Sequence, residues 1–231
     1  LRRAAQRARA NASCARWSWV VAARSCAGLA SMLDPAVSLA LAEQVALAAR
    51  KLGFDSALIG AAALAVYRYT RGTEDIDLAV SIEPWSQLRA LEQALVSAGR
   101  HTLARMPDDD DPLGGVLVVW DSEDESGEPE DVVEVVNFHN PARRVASPGA
   151  AAIARAEYLP GSPLRCVKIE DLVALKLYAG GLSDLADIVQ LLARNPETNL
   201  EAVRVTALPF DAENRLETLI AQAAKLRSRY R

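Results

Sequence analysis

The sequence predicts an α+β fold, a small mixed sheet flanked by helices with a C-terminal helical region. Three observations carry that expectation. Apolar residues recur at helical spacing through "LDPAVSLALAEQVALAARKLG". Strand-like runs rich in valine, "DIDLAV", "GVLVVWD" and "DVVEVVNF", crowd the middle of the chain. After Pro148 the chain returns to helix-forming sequence. The predicted organisation is a basic N-terminal extension over 1–31, an α+β core over 32–145 and a helical region over 146–231.

Each element has a local reason. Asp34 and Pro35 make a cap and a first-turn proline, and Gly53 stops the helix they begin. "SALIG" is a short buried strand. Gly60 opens the alanine-rich "GAAALAVYRYTRG", predicted to stay helical until Gly72 ends it. "DIDLAV" follows as a strand, then a helix over 84–98. "HTLAR", "GVLVVWD" and "DVVEVVNF" are strands expected to form a hairpin, separated by the acidic turns "PDDDDPLG" and "SEDESGEPE". Beyond Pro148 come a short apolar "LRCVKI", helices on "EDLVALKLYAGG" and "SDLADIVQLLARN", and two more over 199–207 and 211–229.

Composition narrows the class. With 231 residues, 51% of them hydrophobic, the chain can bury a sizeable core. No run reaches the roughly 18 apolar residues that a membrane span needs, so no membrane association is expected. Cys14, Cys26 and Cys166 have no CxxC spacing or His cluster, which suggests neither a disulfide framework nor a zinc site and fits a reducing, cytoplasmic setting. Net charge is -4, unevenly spread: residues 1–31 hold six arginines and no acid, leaving 20 basic residues against 30 acidic ones. That segment has the composition of a transit peptide, yet Met32 directly precedes the first helix signal. It is therefore expected to be a disordered or non-native extension ahead of the natural start, with a targeting segment or a plain basic helix as alternatives. An acidic remainder repels phosphate, so nucleic acid would need a local patch. Arg143, Arg144 and the tail "KLRSRYR" offer one, with solvated surface charge as the plainer reading.

Asp75 and Asp77 lie two apart in "TEDIDLAV", on one face of a strand, where like charges repel. A divalent cation removes that repulsion, and hard oxygen ligands suit Mg²⁺ or Mn²⁺. For the tripeptide taken alone a solvated strand end is the commoner explanation. Order along the chain adds to it. The strand "ALI" leads into Gly60-Ala61 at a helix start, where small residues let backbone N–H groups approach a phosphate. Glu134 then stands among Val132, Val133, Val135 and Val136, a costly position unless it is paired, cation-bound or solvent-facing. It is the natural third carboxylate. Metal ligands with a base beside them would position and deprotonate a hydroxyl for in-line attack on a phosphate.

In this order the residues resemble the nucleotidyltransferase superfamily with the DNA polymerase β-like core. More narrowly, "LIGAAALAVYRYTRGTEDIDLAV" and, later, "IEDLVALKLYAGGLSDLADIVQLL" resemble minimal nucleotidyltransferases related to the AbiEii toxins of toxin–antitoxin systems, over about 34–195. The resemblance implies Asp75, Asp77 and Glu134 as catalytic metal ligands for Mg²⁺ (or Mn²⁺). It implies Gly60 and Ala61 as a phosphate-contacting turn and Lys176 as a contact to the triphosphate, with Asp184 and Asp187 orienting Lys176 or the nucleotide. The implied activity moves an NMP from an NTP to a hydroxyl and releases pyrophosphate. Its implied acceptor is RNA, particularly a tRNA end, or a protein, less readily a small molecule such as an aminoglycoside. A cognate antitoxin is the implied partner. Three positions depart from the pattern: Ala61 replaces the usual glycine or serine, Glu134 the usual aspartate, and no basic residue stands just before Asp184. The alternative is a catalytically weak or inactive nucleotide-binding protein on the same fold, against which the intact Asp75 and Asp77 argue.

Plainer readings accompany these. Lys176 could snorkel from its helix to solvent, and Asp184 and Asp187 could serve as an early-helix charge and cap. Glu134 could face solvent on a half-covered strand. Arg68 and Arg71 bind phosphate or merely cover a helix end. His101 and His139 are isolated, and Asp108 to Asp111 form a solvated loop. Phosphatases and glycosyltransferases with a DxD motif place an apolar strand before the first aspartate, whereas "TRGTE" precedes it here. No glycine-rich loop ends in Gly-Lys-Ser/Thr, which excludes a P-loop.

Overall fold

In the computed structural model, residues 35–72, 75–83, 85–107, 113–140 and 146–228 are described. The N-terminal extension, the run Asp108–Asp111, Arg143, Arg144 and the end of the basic tail lie outside them. Helix α1 (Pro35–Lys51) turns Leu41, Ala42, Val45, Ala46 and Ala49 into the core at helical spacing. After β1 (Ala57–Leu58), α2 (Gly60–Val66) and β2 (Asp75–Val80), helix α3 (Ser86–Ser97) repeats the device with Leu88, Leu91 and Leu95. Each leucine removed from water contributes about 2 kcal/mol.

The remaining strands are β3 (His101–Arg105), β4 (Val116–Trp120), β5 (Ser122–Glu123), β6 (Pro129–Glu130), β7 (Val132–Asn137), β8 (Glu157–Tyr158) and β9 (Arg165–Cys166). Among the described residues, seven of the nine strands form one mixed sheet in the order β3-β4-β7-β2-β1-β9-β8, while β5 and β6 make a separate ribbon. β3 pairs antiparallel with β4, and β4 with β7, as expected of the middle strands. At the centre β2 and β7 run parallel. Alternation along β7 explains its valine-rich pattern: Val133 and Val135 enter the main core, while Val132 joins Val116 and Val118 on the opposite face, the one that carries Glu134. Asn137 closes the end of this pair, its side chain bonding the backbone of Ile82, Gly114 and His139.

The C-terminal helices are α4 (Gly149–Arg155), α5 (Ile169–Ala179), α6 (Leu182–Arg194), α7 (Leu200–Ala207) and α8 (Leu216–Arg227). Asp171, 1% exposed, lies at the start of α5 and is bound by Arg155. Burial pushes the Cys166 thiol up to about 12, which leaves it inert. Among the described residues no helix is long and apolar enough to cross a membrane.

Two helices differ from their predicted extents. α2 ends at Val66 and not at Gly72, because Arg68 takes a φ of +62° and the amides of Arg68 and Tyr69 bond back to Ala65 and Leu64, a Schellman ending. Tertiary anchors enforce it: the Tyr67 hydroxyl donates to the Val167 carbonyl at 2.8 Å, and Asn195 Nδ2 donates to the Tyr67 carbonyl at 2.7 Å. The last helix begins at Leu216 and not at 211, since the Asp211 carboxylate accepts the amides of Arg215 and Leu216 and holds the intervening turn.

Candidate active site

Asp75 and Asp77 project from the same face of β2, and the parallel register sets Asp77 directly beside Glu134 on β7. One carboxylate oxygen from each of the three lies within 4.8 Å of the others. All three side chains are half-buried. Burial, together with the charges of Asp75 and Glu134, holds the Asp77 carboxyl well above the usual range, and the nearby cations Lys176 and Arg71 oppose the shift. A divalent cation resolves the same conflict. Glu134 therefore shares a site with Asp75 and Asp77 and does not lie alone on a solvent-facing strand.

Gly60, at the start of α2, has a φ of +59°, and a side-chain carbon there would sit 1.8 Å from Asp77 Oδ2. Only glycine combines that backbone angle with so close an approach of the Asp77 carboxylate. The Ile59 amide bonds the Asp77 carbonyl at 3.0 Å, so the helix start is tied to the carboxylate strand. Ala61 is buried.

Lys176 is buried on α5, and its Nζ donates to Asp184 at 3.1 Å and to Asp187 at 2.7 Å on α6. The snorkelling alternative does not apply. Asp184 also accepts the Gly181 amide at 3.2 Å and so caps α6, while Asp187 is buried and receives Arg71 Nε at 3.3 Å. Burial first and the charge of Asp187 second raise the Tyr69 pKa, so the Tyr69 ring stands near that carboxylate. Asp187 is thus shared by Lys176 and Arg71. The pairing of Arg71 with Asp187 is not legible in the sequence, whose one signal is an arginine four residues before Asp75. Arg68 faces outward and pairs with Glu197 at 3.6 Å, His139 pairs with Glu83, and His101 stacks on Trp120.

A mixed sheet that presents three carboxylates beside a glycine-initiated helix, with an internal Lys–Asp network next to it, defines a nucleotidyltransferase. Residues 41–228 match the family described as nucleotidyl transferase AbiEii toxin, Type IV TA system, and the chain belongs to that family of toxin–antitoxin enzymes. No curated protein sequence matches the chain. Among solved structures, an antigenic nucleotidyltransferase-like protein from Paracoccidioides brasiliensis is 18% identical, covers 85% of this chain and 91% of its own, and superposes with a TM-score of 0.53. JHP933 from Helicobacter pylori is 16% identical over 85% of this chain and 94% of its own, with a TM-score of 0.44. The antibiotic-resistance factor ANT(2'')-Ia is 15% identical over 83% and 96%, with a TM-score of 0.46.

Proposed function

We propose that this nucleotidyltransferase moves an NMP from an NTP to a hydroxyl on RNA, such as a tRNA end, or on a protein, releasing pyrophosphate, with Mg²⁺ or Mn²⁺ as cofactor. The observation that carries the reading is the triad, whose carboxylate oxygens gather within 4.8 Å in a half-buried setting. Such a group repels itself unless a cation lies within it. The donors are all carboxylate oxygens, which suits a hard divalent ion, so the residues present fit the cofactor. Asp75 and Asp77 would hold it, with Glu134 as third ligand or as base. When bound, the ion neutralises phosphate charge and eases loss of the acceptor proton.

The rest is the work of the chain's own groups. Glu134 faces Asp77 across the strand pair, within reach of an acceptor oxygen held at the same spot, and can take its proton. Gly60 and Ala61 begin α2 without a side-chain cap, which supports their amides as phosphate donors. Lys176 is oriented by Asp184 and Asp187, and has one N–H left for the nucleotide. Membership of a toxin family supports a cognate antitoxin as partner, and the reading sets the protein in the cytoplasm.

Label transfer tests the proposal. Each α-labelled NTP is incubated with Mg²⁺ and pools of RNA, protein or an aminoglycoside, using wild type and Asp75→Ala/Asp77→Ala. Label on the RNA or protein pool, absent with the double variant, is expected. Metal-dependent NTP binding without transfer to any pool would favour the inactive nucleotide-binding alternative.

A further inference from the structure

We propose that Arg71 is a phosphate-binding residue of this site, its guanidinium gripping the β- and γ-phosphates of the nucleotide; the proposal rests on the nucleotidyltransferase reading. Among the described residues Lys176 and Arg71 are the cations whose charges reach Asp77. Lys176 has a side chain only 6% exposed and gives two of its three donors to Asp184 and Asp187. The Arg71 side chain is 40% exposed, and its contact with Asp187 runs through Nε at 3.3 Å. Among the described residues no second carboxylate pairs with it. An arginine tethered at Nε keeps its two terminal amines available, in the fork that matches phosphate oxygens.

The tether is rigid. Asp187 is 4% exposed and clamped by Lys176 at 2.7 Å. The segment that carries Arg71 is fixed by the Schellman ending of α2 and by the anchors on Tyr67. Little side-chain freedom remains to be lost on binding. The charge of Arg71 also reaches Asp77, so it stands close to the carboxylates that would hold the metal. The stretch "LYAGGLS" between Lys176 and Asp184 holds no basic residue. Arg71 supplies that charge from the connection between α2 and β2.

Calorimetry on the full chain with Mg²⁺ separates a phosphate ligand from a structural brace. The probes are the four NTPs, their NMPs and inorganic tripolyphosphate; the variants are Arg71→Ala and Arg71→Gln. Glutamine keeps an amide that can donate to Asp187 but lacks the terminal fork. Both variants should bind the preferred NTP and tripolyphosphate roughly 10- to 100-fold more weakly, with NMP affinity unchanged. If the alanine variant does not fold, the glutamine variant carries the comparison. Wild-type NTP affinity in Arg71→Gln, or equal losses for NTP and NMP, would overturn the role of Arg71 alone. A wild-type chain that binds no NTP would overturn the nucleotidyltransferase reading and this inference with it.

Discussion

Replacing Asp77 by asparagine keeps the shape of the side chain and removes one charge from the triad. Carboxylate oxygens within 4.8 Å of each other repel by at least about 332/(20 × 4.8), or about 3.5 kcal/mol, at an effective dielectric near 20. Asp77 has two such neighbours, Asp75 and Glu134, and two cations that oppose them, Lys176 and Arg71. The site is half open to water, so screening reduces the remainder. The asparagine variant should gain about 1–3 kcal/mol in chelator, or about 2–10 °C in Tm. The pH dependence has a definite sign. The Asp77 pKa is raised above its ordinary 3.8, so in rising pH the unfolded chain releases this proton before the folded one does. Wild type should therefore lose stability as pH climbs above 3.8, until the folded group has also ionised, and the variant should lack that component. Mg²⁺ should reverse the order, since a ligand at a hundredfold excess over its Kd adds about 2.7 kcal/mol to whichever protein binds it. Thermal melts with EDTA and with Mg²⁺, from acid to neutral pH, read all three effects. An asparagine variant that melts below wild type in EDTA at neutral pH would refute the repulsion argument.

Gly60→Ala should destabilise by about 1–3 kcal/mol and weaken Mn²⁺ binding in a calorimetric titration, because the new methyl displaces the Asp77 carboxylate from a backbone angle alanine also resists. Glu134→Gln should slow transfer at least about 100-fold in the label assay while NTP binding survives, as expected for a lost base or ligand. Arg155→Ala should cost about 2–4 kcal/mol in urea unfolding without touching NTP affinity, since it strands the buried Asp171 away from the triad; the half-exposed arginine keeps the figure below that of a fully buried pair.

The triad was legible because its chemistry is local: D-x-D on a strand fixes the face of two carboxylates, and a lone glutamate among four valines signals a partner. The register that joins them was not, since nothing in "DVVEVVNF" says which strand lies beside it. Propensity misjudged α2, where Arg68 accepts a left-handed angle because Tyr67 is anchored from residues about a hundred positions away. The strands β8 and β9 are two residues each, too short to show a period, though "LRCVKI" marked the apolar stretch that contains β9. Lys176, Asp184 and Asp187 could be picked out by the resemblance, but the network they form with Arg71 depends on how α5 and α6 meet the α2–β2 connection. Gly60 read as room for a phosphate; in the fold its empty side is filled by Asp77.

The parallel pairing of β2 with β7 also governs when this site comes into being. Parallel strands cannot close as a hairpin; the intervening chain must cross over first. During synthesis Asp75 and Asp77 emerge well ahead of Glu134, and Lys176 emerges later still. A nascent or prematurely terminated chain that ends before Val132 carries two aspartates and no triad. For a member of a toxin family this is an order of assembly written into the topology: a product that ends before Glu134 lacks the third carboxylate, and one that ends before Lys176 has the three carboxylates without the buried cation beside them.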